Sequence, residues 1–187
     1  LRALLAKGQS VETRDERGRT ALLVATDADA LAVAEVLVAS GADVNAKDSR
    51  QDTPYLYAGA EGRTEILRLF LRSGADLSDT NRFGGTALIP AAEKGHLENV
   101  RLLIAAGVEV DHVNRLGWTA LLEAVILGDG QAVHQDIVAA LIAAQADVNL
   151  PDADGVTALT HARKRGLTGI VRLLEAAGAR QAPPSEL

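Results

Sequence analysis

Apolar and polar positions along this chain follow a pattern that restarts at a nearly fixed interval. Each start is a threonine followed by two mostly apolar residues: Thr20-Ala21-Leu22, Thr53-Pro54-Tyr55, Thr86-Ala87-Leu88, Thr119-Ala120-Leu121 and Thr157-Ala158-Leu159. The threonines stand 33, 33, 33 and 38 residues apart. In the third unit, Asn81-Arg82-Phe83-Gly84-Gly85 are turn residues, and the Thr86 hydroxyl stands where it would cap the free amides of a helix start. Leu88, Ala91 and Ala92 then mark the apolar side of a short helix that Gly95 ends. Val100, Leu102, Leu103 and Ile104 mark a second helix, closed by Gly107. The same grammar from each threonine predicts five helix pairs, and Leu1 to Lys7 reads as the second helix of an incomplete sixth unit. Eleven helices and no substantial sheet are expected. No unit of this length buries its apolar face alone, so the period predicts an all-α solenoid built on one continuous core.

A second phrase keeps the same beat: Gly41-Ala42-Asp43-Val44-Asn45, Gly74-Ala75-Asp76-Leu77, Gly107-Val108-Glu109-Val110 and Gln145-Ala146-Asp147-Val148-Asn149, with Gly8 and Gly178 in the glycine column. Three irregularities carry expectations of their own. Gln145 replaces the closing glycine, so either it takes a left-handed conformation at a cost of about 1 kcal/mol or the helix ends differently. Pro90, four residues beyond Thr86, removes an early intrahelical amide and predicts a distorted or tightened first turn. Aligning His134 with His96 puts the five extra residues of the fourth unit at Asp129 to Val133, where they are expected to loop out between the two helices on the edge opposite the turns.

The ends of the array differ. In the last unit Thr160, Arg163 and Glu175 replace apolar or small residues of their columns, which suits a capping unit with a polar outer face. Gln181 to Leu187 reads as a tail. Leu1, Leu4 and Leu5 keep the core pattern, and further repeats are expected upstream.

The registered threonine and glycine columns, with Thr53-Pro54 keeping a proline at the first helical position, resemble the ankyrin repeat family, whose unit carries a T-P-L-H-x-A helix start and a G-A-D-V-N ending. The resemblance extends to Ala179. It implies stacked helix-turn-helix units with β-turn fingers, about five full repeats plus an N-terminal partial one. The expected domain spans 1–180, with a partial repeat at 1–13, repeats at 14–46, 47–79, 80–112, 113–150 and 151–180, and a tail at 181–187. One departure is uniform: Leu23, Leu56, Ile89, Leu122 and Thr160 stand where the family has histidine, so the Thr-to-His hydrogen bond is lost and apolar contact must replace it. The stretch from Gly117 to His134 is similar to a long-linker unit of bacterial ankyrin proteins, many of which are exported. The compartment stays open, with an inclination toward periplasm over cytoplasm.

Composition narrows the function. The net charge of −6 argues against nucleic acid as the main partner, because phosphate binding needs a positive field. No cysteine is present for a disulfide or thiolate site, and no apolar run approaches the roughly 18 residues of a membrane span. Gly128-Asp129-Gly130 lacks the third glycine of a dinucleotide loop and reads as a linker. His96 and His134 share a column, but adjacent helices lie roughly 8 to 10 Å apart, too far for both to ligate one metal. His112 lies alone in a turn, and His161 has no obvious acidic partner in sequence. Asp152-Ala153-Asp154-Gly155 lacks a closing glutamate and shares its column with Asp15, Asp48, Asn81 and Asn114, which favours a structural turn over a calcium loop. No catalytic motif, cofactor or metal site is expected.

What remains is a surface. The resemblance assigns partner binding to the fingers and the exposed side of each first helix, which places Arg82, Phe83, Arg115, Leu116 and Trp118 on fingers and Tyr57, Glu61, Glu93, Glu123, Ile126 and Leu127 on helices. Phe83, Leu116 and Trp118 are expected to converge at mid-array, either as a partner-facing patch or as braces between fingers. Along the groove, Asp27, Glu61, Glu93 and Glu123 give way to Lys164 and Arg165. The expected function is a monomeric, non-enzymatic protein-binding scaffold or accessory factor. A host-directed effector or inhibitor, or the binding domain of a larger enzyme with its catalytic part upstream, are the alternatives.

Overall fold

The computed structural model describes residues 10 to 180. Among them are ten helices in five pairs: α1 (Ala21–Asp27) and α2 (Leu31–Ala39), α3 (Pro54–Ala60) and α4 (Thr64–Arg72), α5 (Leu88–Glu93) and α6 (Leu97–Ala106), α7 (Ala120–Ile126) and α8 (Ala132–Ala143), α9 (Ala158–Lys164) and α10 (Thr168–Ala176). The helix expected at Leu1 to Lys7 lies outside the described residues. Each helix packs on its partner and on the corresponding helices of neighbouring repeats, giving an inner layer of odd-numbered and an outer layer of even-numbered helices. The only β pairing among the described residues is two isolated antiparallel bridges, Arg14 with Thr20 and Pro151 with Thr157.

Local chemistry builds each repeat. The hydroxyls of Thr20, Thr53, Thr119 and Thr157 each accept from the backbone amide three residues on, capping α1, α3, α7 and α9. The residue in the missing-histidine position is buried at Leu23, Leu56, Ile89 and Leu122, so apolar contact does replace the lost bond. Before each cap, one Asx side chain folds the finger: Asp15, Asp48, Asn81, Asn114 and Asp152 all accept from the amides two and four residues later. The calcium-like stretch at Asp152 is therefore a structural turn of the same kind.

The third repeat departs as Pro90 requires. In the other four repeats the amide four residues past the threonine donates to the threonine carbonyl at 2.9–3.1 Å. Pro90 has no amide, and instead Ile89 N reaches Thr86 O at 3.3 Å in a tighter turn. Helix α5 begins only at Leu88, and the buried Thr86 hydroxyl has no hydrogen-bond partner.

The insertion is shared between loop and helix, which corrects the expectation that all five residues loop out. Ala132 and Val133 are helical, and α8 has 12 residues against 9 or 10 in the other outer helices. The reason lies in satisfied polar groups. Extra backbone placed in a helix meets its own hydrogen bonds, whereas a loop needs outside partners. Asp129 Oδ1 accepts from Gln131 N at 2.9 Å, and Gln135 Nε2 donates to Gly130 O at 3.0 Å, closing the short remaining loop.

The last described repeat carries a polar pair on its outer columns. Arg163 and Glu175, both standing where other repeats carry apolar or small residues, form an ion pair at 2.7 Å.

Candidate functional site

The fingers and inner helices of repeats 2 to 4 enclose a cleft of about 440 Å³. Its apolar wall includes Phe83, Leu116 and Leu127, which are 49%, 52% and 49% exposed. Ile89 and Pro90 lie deeper, and Tyr57 stands at one end, where its hydroxyl donates to Asp27 Oδ1 at 2.6 Å. Burial, and then the bond to Asp27, push the Tyr57 phenol up to about 12, so it remains a donor. A smaller cleft of about 170 Å³, reaching Arg17 and Arg19, shares Arg50, Asp52 and Tyr57 with the large one.

Backbone bonds hold the fingers at a fixed spacing. Arg115 N donates to Phe83 O at 2.9 Å and its guanidinium to Arg82 O at 3.0 Å, while Ser49 N donates to Arg17 O at 3.2 Å. Arg115 thus works along the finger row and does not line the cleft. The Arg82 guanidinium lies 4.5 Å from the centre of the Phe83 ring, a cation–π contact that fixes the ring at the cleft mouth.

The charged groups are mostly paired. Arg82 reaches Asp52 at 3.8 Å, and Lys94 binds Glu61 across one repeat. The exceptions are Arg50, at the end shared with the smaller cleft, and the two carboxyls Glu93 and Glu123. Glu123 is only 6% exposed, accepts from Asn114 Nδ2 at 2.8 Å and feels the charge of Glu93, which lines the same cleft. Burial, and then the adjacent Glu93 charge, push Glu123 up to about 7, so near neutrality it holds a proton about half the time.

A comparison with protein-family models matches residues 17–49 to an ankyrin repeat and residues 55–152 to ankyrin repeats in three copies. The chain belongs to the ankyrin repeat family. Among solved structures, an ankyrin repeat domain from Acinetobacter baumannii AYE is 59% identical with a TM-score of 0.92, covering 96% of this chain and 91% of that one. A second ankyrin repeat protein is 44% identical with a TM-score of 0.89, covering 93% of this chain and 88% of that one. No curated protein matches it. An ankyrin domain is in general a protein-interaction module and a non-catalytic scaffold.

Within the ankyrin frame, the cleft gathers eight of the residues singled out by column: Tyr57, Glu61, Arg82, Phe83, Glu93, Leu116, Glu123 and Leu127. Trp118 and Ile126 are instead partly buried and packed against the core. Of the two roles weighed for Trp118, the packing fits the brace. Asn114 and Lys94 also line the cleft. Sequence reading placed Asn114 only in a turn, yet its side chain does both jobs, with Oδ1 on the finger amides and Nδ2 on Glu123.

Three of the four histidines are occupied by architecture. His134 uses both ring nitrogens, one on Asp129 Oδ1 at 2.7 Å and one on Glu93 O at 2.8 Å. His161 does have an acidic partner, Asp152 Oδ2 at 2.7 Å, which the sequence reading missed because the two meet across the turn from finger to helix. His112 reaches Gly84 O at 2.7 Å. Among the described residues, no three His, Asp or Glu side chains are grouped to hold a metal, and no helix is long and apolar enough to cross a membrane.

Of the groove cations expected at the C-terminal end, Arg165 is committed elsewhere. Its guanidinium caps the carbonyls of Val125 and Gly128 at 2.6 and 2.8 Å. The acidic-to-basic gradient along the helices is therefore weaker than the column reading implies.

Proposed function

We propose that this ankyrin domain is a non-enzymatic docking module that holds a protein partner in the mid-array cleft of its finger-and-inner-helix face. One observation carries this reading: Phe83, Leu116 and Leu127, among the largest exposed apolar side chains, line a single cleft rather than scattering over the surface. Isolated surface apolars are ordinary, but three in one concavity with an aromatic anchor form the kind of patch that interfaces use. The rigid finger row keeps the cleft open without a partner, so little ordering entropy opposes docking.

The test is a comparative capture. The tagged wild-type chain and a Phe83→Ala/Leu116→Ser variant are used side by side on lysate of the source bacterium. The expected result is a discrete partner retained by wild type and lost from the variant, with both proteins melting at the same temperature. Equal retention by both would refute the cleft as the docking surface.

A further inference from the structure

The lining of the cleft also specifies which chemistry fits it. Arg82 with Asp52 and Lys94 with Glu61 neutralise each other in pairs, and Arg50 sits at the end shared with the smaller cleft. Glu93 and Glu123 remain, and no cation among the described residues pairs with either. Two carboxyls in one cleft with the exposed apolar side chains of Phe83, Leu116 and Leu127 form an acidic site beside an apolar wall, in a lining of mixed polar and apolar groups. Its size falls within the roughly 300–1,000 Å³ of ligand-binding clefts.

We infer that the cleft accepts a segment of the partner protein bearing a lysine or arginine flanked by apolar residues. The cation lies on the Glu93 and Glu123 carboxyls, and its apolar neighbours lie against Phe83, Leu116 and Leu127. This inference rests on the docking reading above and adds the partner's chemistry. Charge complementarity selects the basic residue, since an acidic one would bring a third carboxyl to two that no cation among the described residues pairs with. The apolar flanks follow from the rim, because a free cation alone would leave those side chains in water.

The arrangement makes binding depend on pH. A cation beside Glu123 favours its ionised form, so affinity rises as Glu123 ionises. The neighbouring groups are Lys94 and Glu61 at the ends of the inner helices of repeats 3 and 2, Asn114 from the finger, His134 on α8, which bonds the Glu93 carbonyl and Asp129, and His161 on α9, which is tied to Asp152.

A random peptide library displayed on phage and selected at pH 8 on the full chain tests the inference. The expected consensus is a basic residue with an apolar residue within two positions. Its synthetic peptide should bind Glu123→Gln at least tenfold more weakly than wild type, and wild-type affinity should fall about tenfold from pH 8 to pH 6, with a much smaller fall for Glu123→Gln. The substitution keeps an acceptor for Asn114 and the volume of the side chain, and its far-ultraviolet circular dichroism should match wild type. Glu93→Gln, on the more exposed partner of the pair, serves as the second variant and should lose affinity in the same way. Selected peptides that lack a basic residue but lose affinity on Phe83→Ala would overturn the cationic anchor and leave the docking reading standing. Peptides insensitive to Phe83→Ala and to both glutamine variants, or no selected peptides at all, would overturn both.

Discussion

Glu123 shows how a single buried side chain sets a measurable property. Its ordinary value is 4.5 and burial lifts it to about 7, so between those values the folded protein holds a proton that the unfolded chain has released. The contribution of this group to stability is therefore full below about 4.5 and is lost as pH rises to 7. Glu123→Gln cannot ionise. Its denaturant midpoint should match wild type near pH 4.5 and exceed it at pH 8, by ~1–3 kcal/mol. Parallel pH profiles for the two proteins would refute this. Gln145, like Asp29 and Gln51, is a non-glycine residue in the left-handed region: at φ 68 it takes the conformation that the glycine column prepares, and its amide still donates to Ile142 O at 2.9 Å. Trp118 belongs to the same scale. Because it packs against the core, Trp118→Ala should lower the melting temperature, with a loss of ~2–4 kcal/mol, whereas Phe83→Ala at the cleft mouth should change stability by less than ~1 kcal/mol. Equal melting temperatures for the two variants would contradict these roles.

At the scale of elements, α8 is the informative departure. A five-residue insertion costs little entropy as a loop, yet part of it became an extra stretch of helix. His134 explains the choice, since its ring bridges Asp129 at the loop start and the Glu93 carbonyl at the end of α5. It thereby joins the insertion to the previous repeat, one helix turn from the cleft. His134→Ala would leave that carbonyl and the loop without their shared partner, and a loss of ~1–3 kcal/mol is expected in urea unfolding. A midpoint unchanged by the substitution would mean that the helix extension stands by itself. Helix α5 carries the opposite lesson: Pro90 removes a bond and strands the Thr86 hydroxyl, but the same residue presents a smooth apolar floor to the cleft.

Across the whole molecule, repeats are joined by a ladder of side chains at their closing turns. Glu12, Asn45, Asp111 and Asn149 each accept from a backbone amide of the next repeat, at Asp43, Asp76, Asp147 and Arg180. Ser78 occupies this column between repeats 2 and 3, but its hydroxyl turns back to Asp76 Oδ1 at 2.7 Å. It is too short to span the joint as Asn45 does, and that joint lies beneath the cleft. In a solenoid, stability is close to a sum of repeats and nearest-neighbour interfaces, so a repaired joint should be felt by the entire array. Ser78→Asn should raise the denaturant midpoint by ~0.5–1.5 kcal/mol. No increase would show that this interface is limited by something other than the ladder.

Four of the five threonine caps and the finger turns were readable in the chain, because each rests on bonds spanning a few residues and on a period that repeats them; Thr86, read as the fifth cap, makes no such bond, since the turn before Pro90 tightens. The distortion at Pro90 was legible because a missing amide leaves the first turn little choice, whereas the sequence left Gln145 open between a left-handed conformation and another helix ending, and the structure takes the first. Registered columns also brought eight of the chosen surface residues to one place. What they could not decide was direction within a finger. Leu116 and Trp118 are two residues apart, yet one faces the cleft and the other the core, a difference made by the neighbouring repeat. Nor does sequence spacing state that Glu123 feels the charge of Glu93, that Asp152 meets His161, or that His134 reaches α5. Those contacts depend on the exact offset between stacked helices, which only the packed core sets, and with it the burial that gives Glu123 its proton.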